Sequence, residues 1–141
     1  MKNRAARRTD DDVVIGGATV SVNDVEATLI CHPTVAEAAV VPFQEPGKGL
    51  ALWAFVTLEA GETPTDVLGA DLKGFIRREM SPQATPRVVQ FAAALPKAWD
   101  GDVVRPVLQR IAETGEPGDV SDVTDAAVAQ ALAQARAAAL A

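Results

Sequence analysis

Residues 35–58 read VAEAAVVPFQEPGKGLALWAFVTL, and the fold turns on how that stretch divides. Val35 to Phe43 is an almost unbroken apolar run, and Leu50 to Leu58 is strand-like too. Glu45-Pro46-Gly47 stands between them as a turn signal. The first run, lacking polar alternation, suits a strand covered on both faces. The modest loop predicts an antiparallel pair. With Leu50, Leu52, Ala54, Val56 and Leu58 turned to the core, Trp53 points outward together with Phe55. Such a pair needs cover, from a helix of this chain (the closing one is the candidate) or from a partner. Trp53 and Phe55 are therefore candidate partner contacts.

Before this pair, Val13-Val14-Ile15 and Gly16-Gly17 read as a short strand running into a turn, half of a small N-terminal hairpin. Ser21 and Asp24 have capping-box spacing, and Val22, Val25 and Leu29 supply the apolar stripe of a helix that Pro33 stops. After the pair, Thr65 is the expected N-cap of a helix carrying Leu68, Leu72, Phe75, Ile76 and Met80 on one face. Arg77 and Arg78 fall in its last turn, where cations suit the helix dipole. Val88 to Phe91 is a third strand, ending at Leu95-Pro96. The polar turn Asp100-Gly101-Asp102 leads into a helix from about Val103 to Ala112, with Pro106 in its first turn. Gly115, Pro117 and Gly118 form a linker, and Asp122 to Leu140 is an Ala-rich closing helix. The expected fold is α+β: a small mixed three-stranded sheet plus a short N-terminal hairpin, with helices packed on it. Residues 1–12 make a tail, 13–114 the body, and 115–141 the linker and closing helix.

The bulk numbers fit one domain. The chain has 141 residues, 48% of them hydrophobic and only 4% aromatic, with no Tyr, so the core is built from Val, Leu, Ile and Ala. The net charge of -6 speaks against a nucleic-acid partner, which basic patches would hold. Lys2, Arg4, Arg7 and Arg8 are offset at once by Asp10, Asp11 and Asp12. Those three consecutive carboxylates cannot easily converge on one ion, so no metal site is expected. Cys31 stands alone, is expected to be buried, and allows no intrachain disulfide. No apolar run approaches the roughly 20 residues of a membrane span, and the basic N-terminus lacks the apolar run of a signal peptide. A cytoplasmic protein away from membranes is expected.

Several segments carry a more specific signal. Arg8-Thr9-Asp10-Asp11, Gly17-Ala18-Thr19-Val20, Asp24-Val25-Glu26, the long stretch from His32-Pro33-Thr34 to Val41, Ala84-Thr85-Pro86-Arg87, Leu95-Pro96-Lys97 and Gly118-Asp119-Val120-Ser121 occur in this order. Together they resemble the C-terminal domain of adenylate-forming acyl-CoA synthetases, acetyl- and propionyl-CoA synthetases in particular. The likeness runs from residue 8 to about 130 nearly without gaps. It implies that residues 8–11 correspond to the hinge between a large N-terminal domain and this small one. It also implies that Leu95-Pro96-Lys97-Ala98-Trp99-Asp100-Gly101-Asp102 is the catalytic loop, usually Leu-Pro-Lys-Thr-Arg-Ser-Gly-Lys.

The departures from that pattern bear most on function. The family's catalytic lysine falls on Asp102. In the family that ammonium sits between the substrate carboxylate and the α-phosphate of ATP, and such preorganised charge is often the largest catalytic term. A carboxylate removes an attraction and adds a repulsion, each on the order of 1 to 4 kcal/mol at contact. Lys97 matches a different position, five residues upstream. The second working face is a Gly-x-Arg loop offered to CoA; here Gly17 remains but the arginine position is Thr19, which cannot pair with phosphate as a guanidinium does. The ATP phosphate loop, adenine pocket and acyl pocket belong to the large domain.

Asp102, Asp100 and Lys97 are thus candidate catalytic groups of an altered chemistry. The alternative for the two aspartates is N-capping of the helix near Val103. Trp99 either tips the loop as a ligand or partner contact or folds back on the sheet. Gly17 and Thr19 are candidate ligand contacts, and His32 is expected to serve the end of its helix. Three functions follow: a binding or accessory module for a carrier protein, a biosynthetic enzyme or an acyl small molecule; a new enzyme (cyclase, dehydratase or thioester hydrolase) on the old active-site edge; or the small half of a split synthetase. No cofactor is expected, and a homo-oligomer stays open.

Overall fold

The computed structural model describes residues 12–140. The hinge-like residues 8–11 and the basic cluster lie outside them. In chain order come β1 (Asp12–Ile15), β2 (Ala18–Ser21), α1 (Val22–Ile30), β3 (Val35–Glu45), β4 (Gly49–Leu58), α2 (Asp66–Glu79), β5 (Val88–Phe91), α3 (Arg105–Thr114) and α4 (Ala126–Leu140). β1 and β2 form a hairpin whose turn is Gly16-Gly17, both at positive φ (58° and 82°), as a tight two-residue turn requires. The main sheet has the order β3-β4-β5, with β3 antiparallel and β5 parallel to β4. Parallel pairing demands a crossover, and α2 provides it. Pro42 interrupts the hydrogen-bonding donors of β3 without harm because β3 is an edge strand.

The apolar runs of β3 and β4 are explained by two cores, one on each side of the sheet. Ala38, Val40, Leu52, Ala54 and Val56 pack with α1 and α2 residues such as Val25, Leu29, Leu72 and Ile76. Ala39, Val41, Phe43, Trp53 and Phe55 pack with Leu108 and Ile111 of α3 and with Ala129 and Leu132 of α4. Trp53 and Phe55 are fully buried, their rings stacked 6.0 Å apart, so they are core and not a partner surface. The covering helix supplies what the sequence left open. α4 is held there by polar anchors as well: Gln90 accepts from the Trp53 indole (3.2 Å) and donates to the Leu132 carbonyl (2.9 Å). Arg136 lies over the Trp53 ring at 5.4 Å and donates to the Ala112 carbonyl near the end of α3.

Local signals placed most helix ends. The Ser21 hydroxyl accepts from the Asp24 N–H and the Thr65 hydroxyl from the Leu68 N–H, as their N-cap positions predict. Three expectations need correction. Cys31 is exposed: it caps α1 two residues beyond Leu29, off the apolar stripe. α3 begins later than Val103, at Arg105, because Val103 still pairs with Lys97 in a β-bridge. α4 begins at Ala126 behind Asp125, whose carboxylate accepts from the Ala127 N–H, so Asp122 precedes the helix. His32 stands beyond the end of α1, its Nδ1 accepting from the Thr34 N–H and its ring edge-on to Phe75.

Candidate functional site

Residues 97–103 form a small hairpin of their own. Lys97 bridges Val103, the Ala98 N–H donates to the Asp102 carbonyl (2.9 Å), and the Gly101 N–H donates to the Ala98 carbonyl (2.9 Å). Trp99 and Asp100 are the central turn residues, and Gly101 (φ 92°) occupies the left-handed position that closes such a three-residue loop. The turn projects Trp99 into solvent, 83% exposed, which settles its orientation away from the sheet. Asp100 Oδ1 accepts from the Asp102 N–H (3.0 Å), a local turn bond. The helix-capping reading of Asp100 and Asp102 is corrected by this geometry: the N-cap of α3 is Val104, with no side-chain cap, and Pro106 at the helix start needs no N–H partner. Both aspartates are left exposed on the loop.

Two further ion pairs border the loop. The Lys97 ammonium is bound to the Glu37 carboxylate of β3. Arg105, at the start of α3, grips Glu26 of α1 with both guanidinium nitrogens, the Nη2 bond measuring 2.6 Å. Glu26 is 8% exposed, and its Oε2 also accepts from the Val40 N–H (2.8 Å) at the free edge of β3. An open groove of about 1030 Å3 runs beside the loop, with Lys97, Trp99, Asp100, Asp102, Glu37 and Arg105 on its rim. The structure thus gathers four of the sequence-derived candidates on one groove. Thr19 lies elsewhere, on a groove shared with Ser21, Asp24 and Met80, and Gly17 is exposed in the β1–β2 turn. Sequence reasoning missed Glu37 and Arg105 as loop partners, since 60 and 79 residues separate the members of the two pairs and no local pattern couples them. Among the described residues no cluster of three His, Cys, Asp or Glu could hold a metal ion, and no helix is long and apolar enough to cross a membrane.

This arrangement, a three-stranded sheet with a hairpin loop poised at the head of α3, has close counterparts. The model of the AMP-binding enzyme C-terminal domain matches residues 24–101, more than half of the chain. The chain belongs to that family. Acetyl-coenzyme A synthetases of Bradyrhizobium sp. (strain ORS 278) and Xanthomonas oryzae pv. oryzae (strain MAFF 311018) are 42% and 41% identical to it over 131 residues, 92% of this chain and 20% of each relative. The acyl-CoA synthetase of Brucella canis superposes with a TM-score of 0.68 at 36% identity, over 73% of this chain and 19% of that one. The anthranilate CoA ligase AuaEII in complex with anthranoyl-AMP gives 0.68 at 32% identity, over 75% and 20%. The chain therefore spans about a fifth of the length of the proteins it matches.

Proposed function

We propose that this acyl-CoA synthetase C-terminal domain does not support adenylation and works as a binding or accessory module in acyl metabolism. The observation that carries this reading is Asp102, a carboxylate at the end of the hairpin loop where the family places the lysine that neutralises the reacting phosphate and carboxylate. The other cation of the loop is already committed, because Lys97 is paired with Glu37. Thr19 weakens the CoA-facing hairpin in the same direction, having one hydroxyl where a guanidinium is expected. A change of chemistry to cyclisation, dehydration or thioester hydrolysis gains one argument from the groove that Asp100, Asp102 and Trp99 share. It lacks an enclosed position in which a substrate atom would be held against an acid or base. Completion by a separate large domain in trans meets the same obstacle as adenylation in cis, the missing positive charge.

A chimera tests the reading directly. The C-terminal fifth of an acetyl-CoA synthetase is replaced by residues 12–141, and acetate-dependent ATP–pyrophosphate exchange is measured with and without Asp102→Lys. The parent substitution should leave the chimera inactive, and Asp102→Lys should raise exchange by about 100-fold or more, the usual effect of restoring one preorganised charge. Exchange by the Asp102 chimera within about 10-fold of the intact synthetase would sink the proposal, since that loss is only about 1.4 kcal/mol of barrier.

A further inference from the structure

A second groove lies on the far side of the molecule, between α2 and α4 at the β5 edge of the sheet. It measures about 460 Å3, is walled by Gly69 and Ala70 of α2 and by Ala135 and Ala138 of α4, and has Phe91 in its floor. Phe91 and Ala135 also line an adjoining apolar groove of about 390 Å3 beside Ala92–Ala94, so the trough continues along α4. Small side chains on both walls let a third element approach the two helices closely.

The charge beside this trough is unusual for so acidic a protein. Four of the 13 Lys and Arg lie in residues 2–8; of the other nine, Lys73, Arg77 and Arg78 sit on α2 and Arg87 immediately before β5. Lys73 lines the trough and donates to the Arg87 carbonyl (3.0 Å). Its pKa is held below the ordinary lysine value by burial, and then by the charges of Arg87 and Arg77. The helix dipole explains cations in the last turn of α2, where Arg77 and Arg78 stand. It does not explain Lys73, nearly two turns from the end, with a like charge at i+4 that destabilises the pair. Among the described residues, Arg87 is the one of the four with a carboxylate partner, Glu45 at 3.0 Å, and it is exposed. Asp66 closes the opposite end of the trough, so the anion-seeking end is that of Lys73.

We propose that this trough docks an acidic amphipathic helix of a protein partner. The apolar side of that helix lies between α2 and α4, and carboxylates one turn apart meet Lys73 and Arg77, which are themselves one turn apart. A helix suits the site better than a small acyl ligand, because the trough is open along its length and would leave much of a small molecule in water. The basic residues 2–8 are the wrong charge to fill it. The inference rests on the module reading and adds the partner's chemistry; the exchange assay above tests adenylation independently, so the two can fail separately.

The probe is an amidated helical peptide of about 15 residues, long enough to hold a helix, with Leu and Ala on one face and Glu in i,i+4 pairs on its flank. Binding to the full chain is followed by fluorescence anisotropy and by amide shift changes. The expected result is saturable, salt-sensitive binding with shifts confined to α2, β5 and α4. Arg77→Glu with Lys73→Glu should weaken it by about 10-fold or more, because two attractions become two repulsions, one of them at the half-buried Lys73. The same double variant should bind the matching Lys peptide better than the parent protein does. If Lys73→Glu does not fold, Arg77→Glu alone carries the charge test. Ala135→Trp, on the exposed wall of α4, should abolish binding by filling the trough. Equal binding of Glu and Lys peptides, indifference to Ala135→Trp, equal competition by single-stranded DNA or anionic vesicles, or no binding at all would each overturn the proposal.

Discussion

The Glu26 carboxylate of α1 meets groups from two other elements, the Arg105 guanidinium of α3 and the Val40 N–H of β3. It seals the edge of β3 with a charge, which prevents that edge from pairing with another strand. Because the site is buried on the Glu26 side, removing the carboxylate takes away the Arg105 ion pair and leaves the Val40 N–H without its acceptor. Glu26→Ala should therefore cost about 2 to 4 kcal/mol in urea unfolding. Glu26→Gln, which keeps an acceptor for Val40, should lose less. Equal losses for the two variants would mean that the charge on Arg105, and not the strand edge, dominates. Asp102 is the opposite kind of residue: it is exposed, and the geometry around it is made by backbone bonds and by Gly101. Its identity is thus free to change without cost to the fold.

At the scale of elements, α4 shows how a weakly patterned helix finds its place. Its sequence, AAVAQALAQARAAAL, offers Ala on nearly every side, and Ala contributes little area to decide which face is buried. The register comes instead from Leu132 and Ala129 on the sheet and from two polar anchors, Gln90 and Arg136. Gln90 is 2% exposed and satisfies the Trp53 indole and the Leu132 carbonyl together. Gln90→Ala strands the Trp53 indole N–H and takes away the second bond to the Leu132 carbonyl, so a loss of about 1 to 3 kcal/mol is expected in thermal or urea unfolding. Hydrogen exchange should also quicken throughout α4 while α1 and α2 stay protected. Uniform quickening across the domain would show that α4 is no separate unit.

For the whole molecule, the sheet is a partition between two cores, and α3 with α4 covers one of them. A chain ending at Asp125 would expose Trp53, Phe55 and Phe43, which stack edge-on and face-to-face beneath α4. Such an apolar patch favours self-association. In a Trp99→Phe background, where Trp53 is the only indole, the truncated chain should show a red-shifted emission and raised binding of an apolar dye. Unchanged emission would mean that α3 alone covers the ring. Element order, the two-sided burial of β3, the N-caps at Ser21 and Thr65, and the place of Asp102 in the loop were legible in the sequence. These rest on local periodicity, capping chemistry and motif spacing, which neighbouring residues carry. Tertiary structure decided that Trp53 and Phe55 are core, that Cys31 is exposed, that Lys97 answers to Glu37, and that cations and small side chains meet along α2 and α4. Each of these depends on which face a helix covers or on groups dozens of residues apart, and only the packed chain brings such groups together.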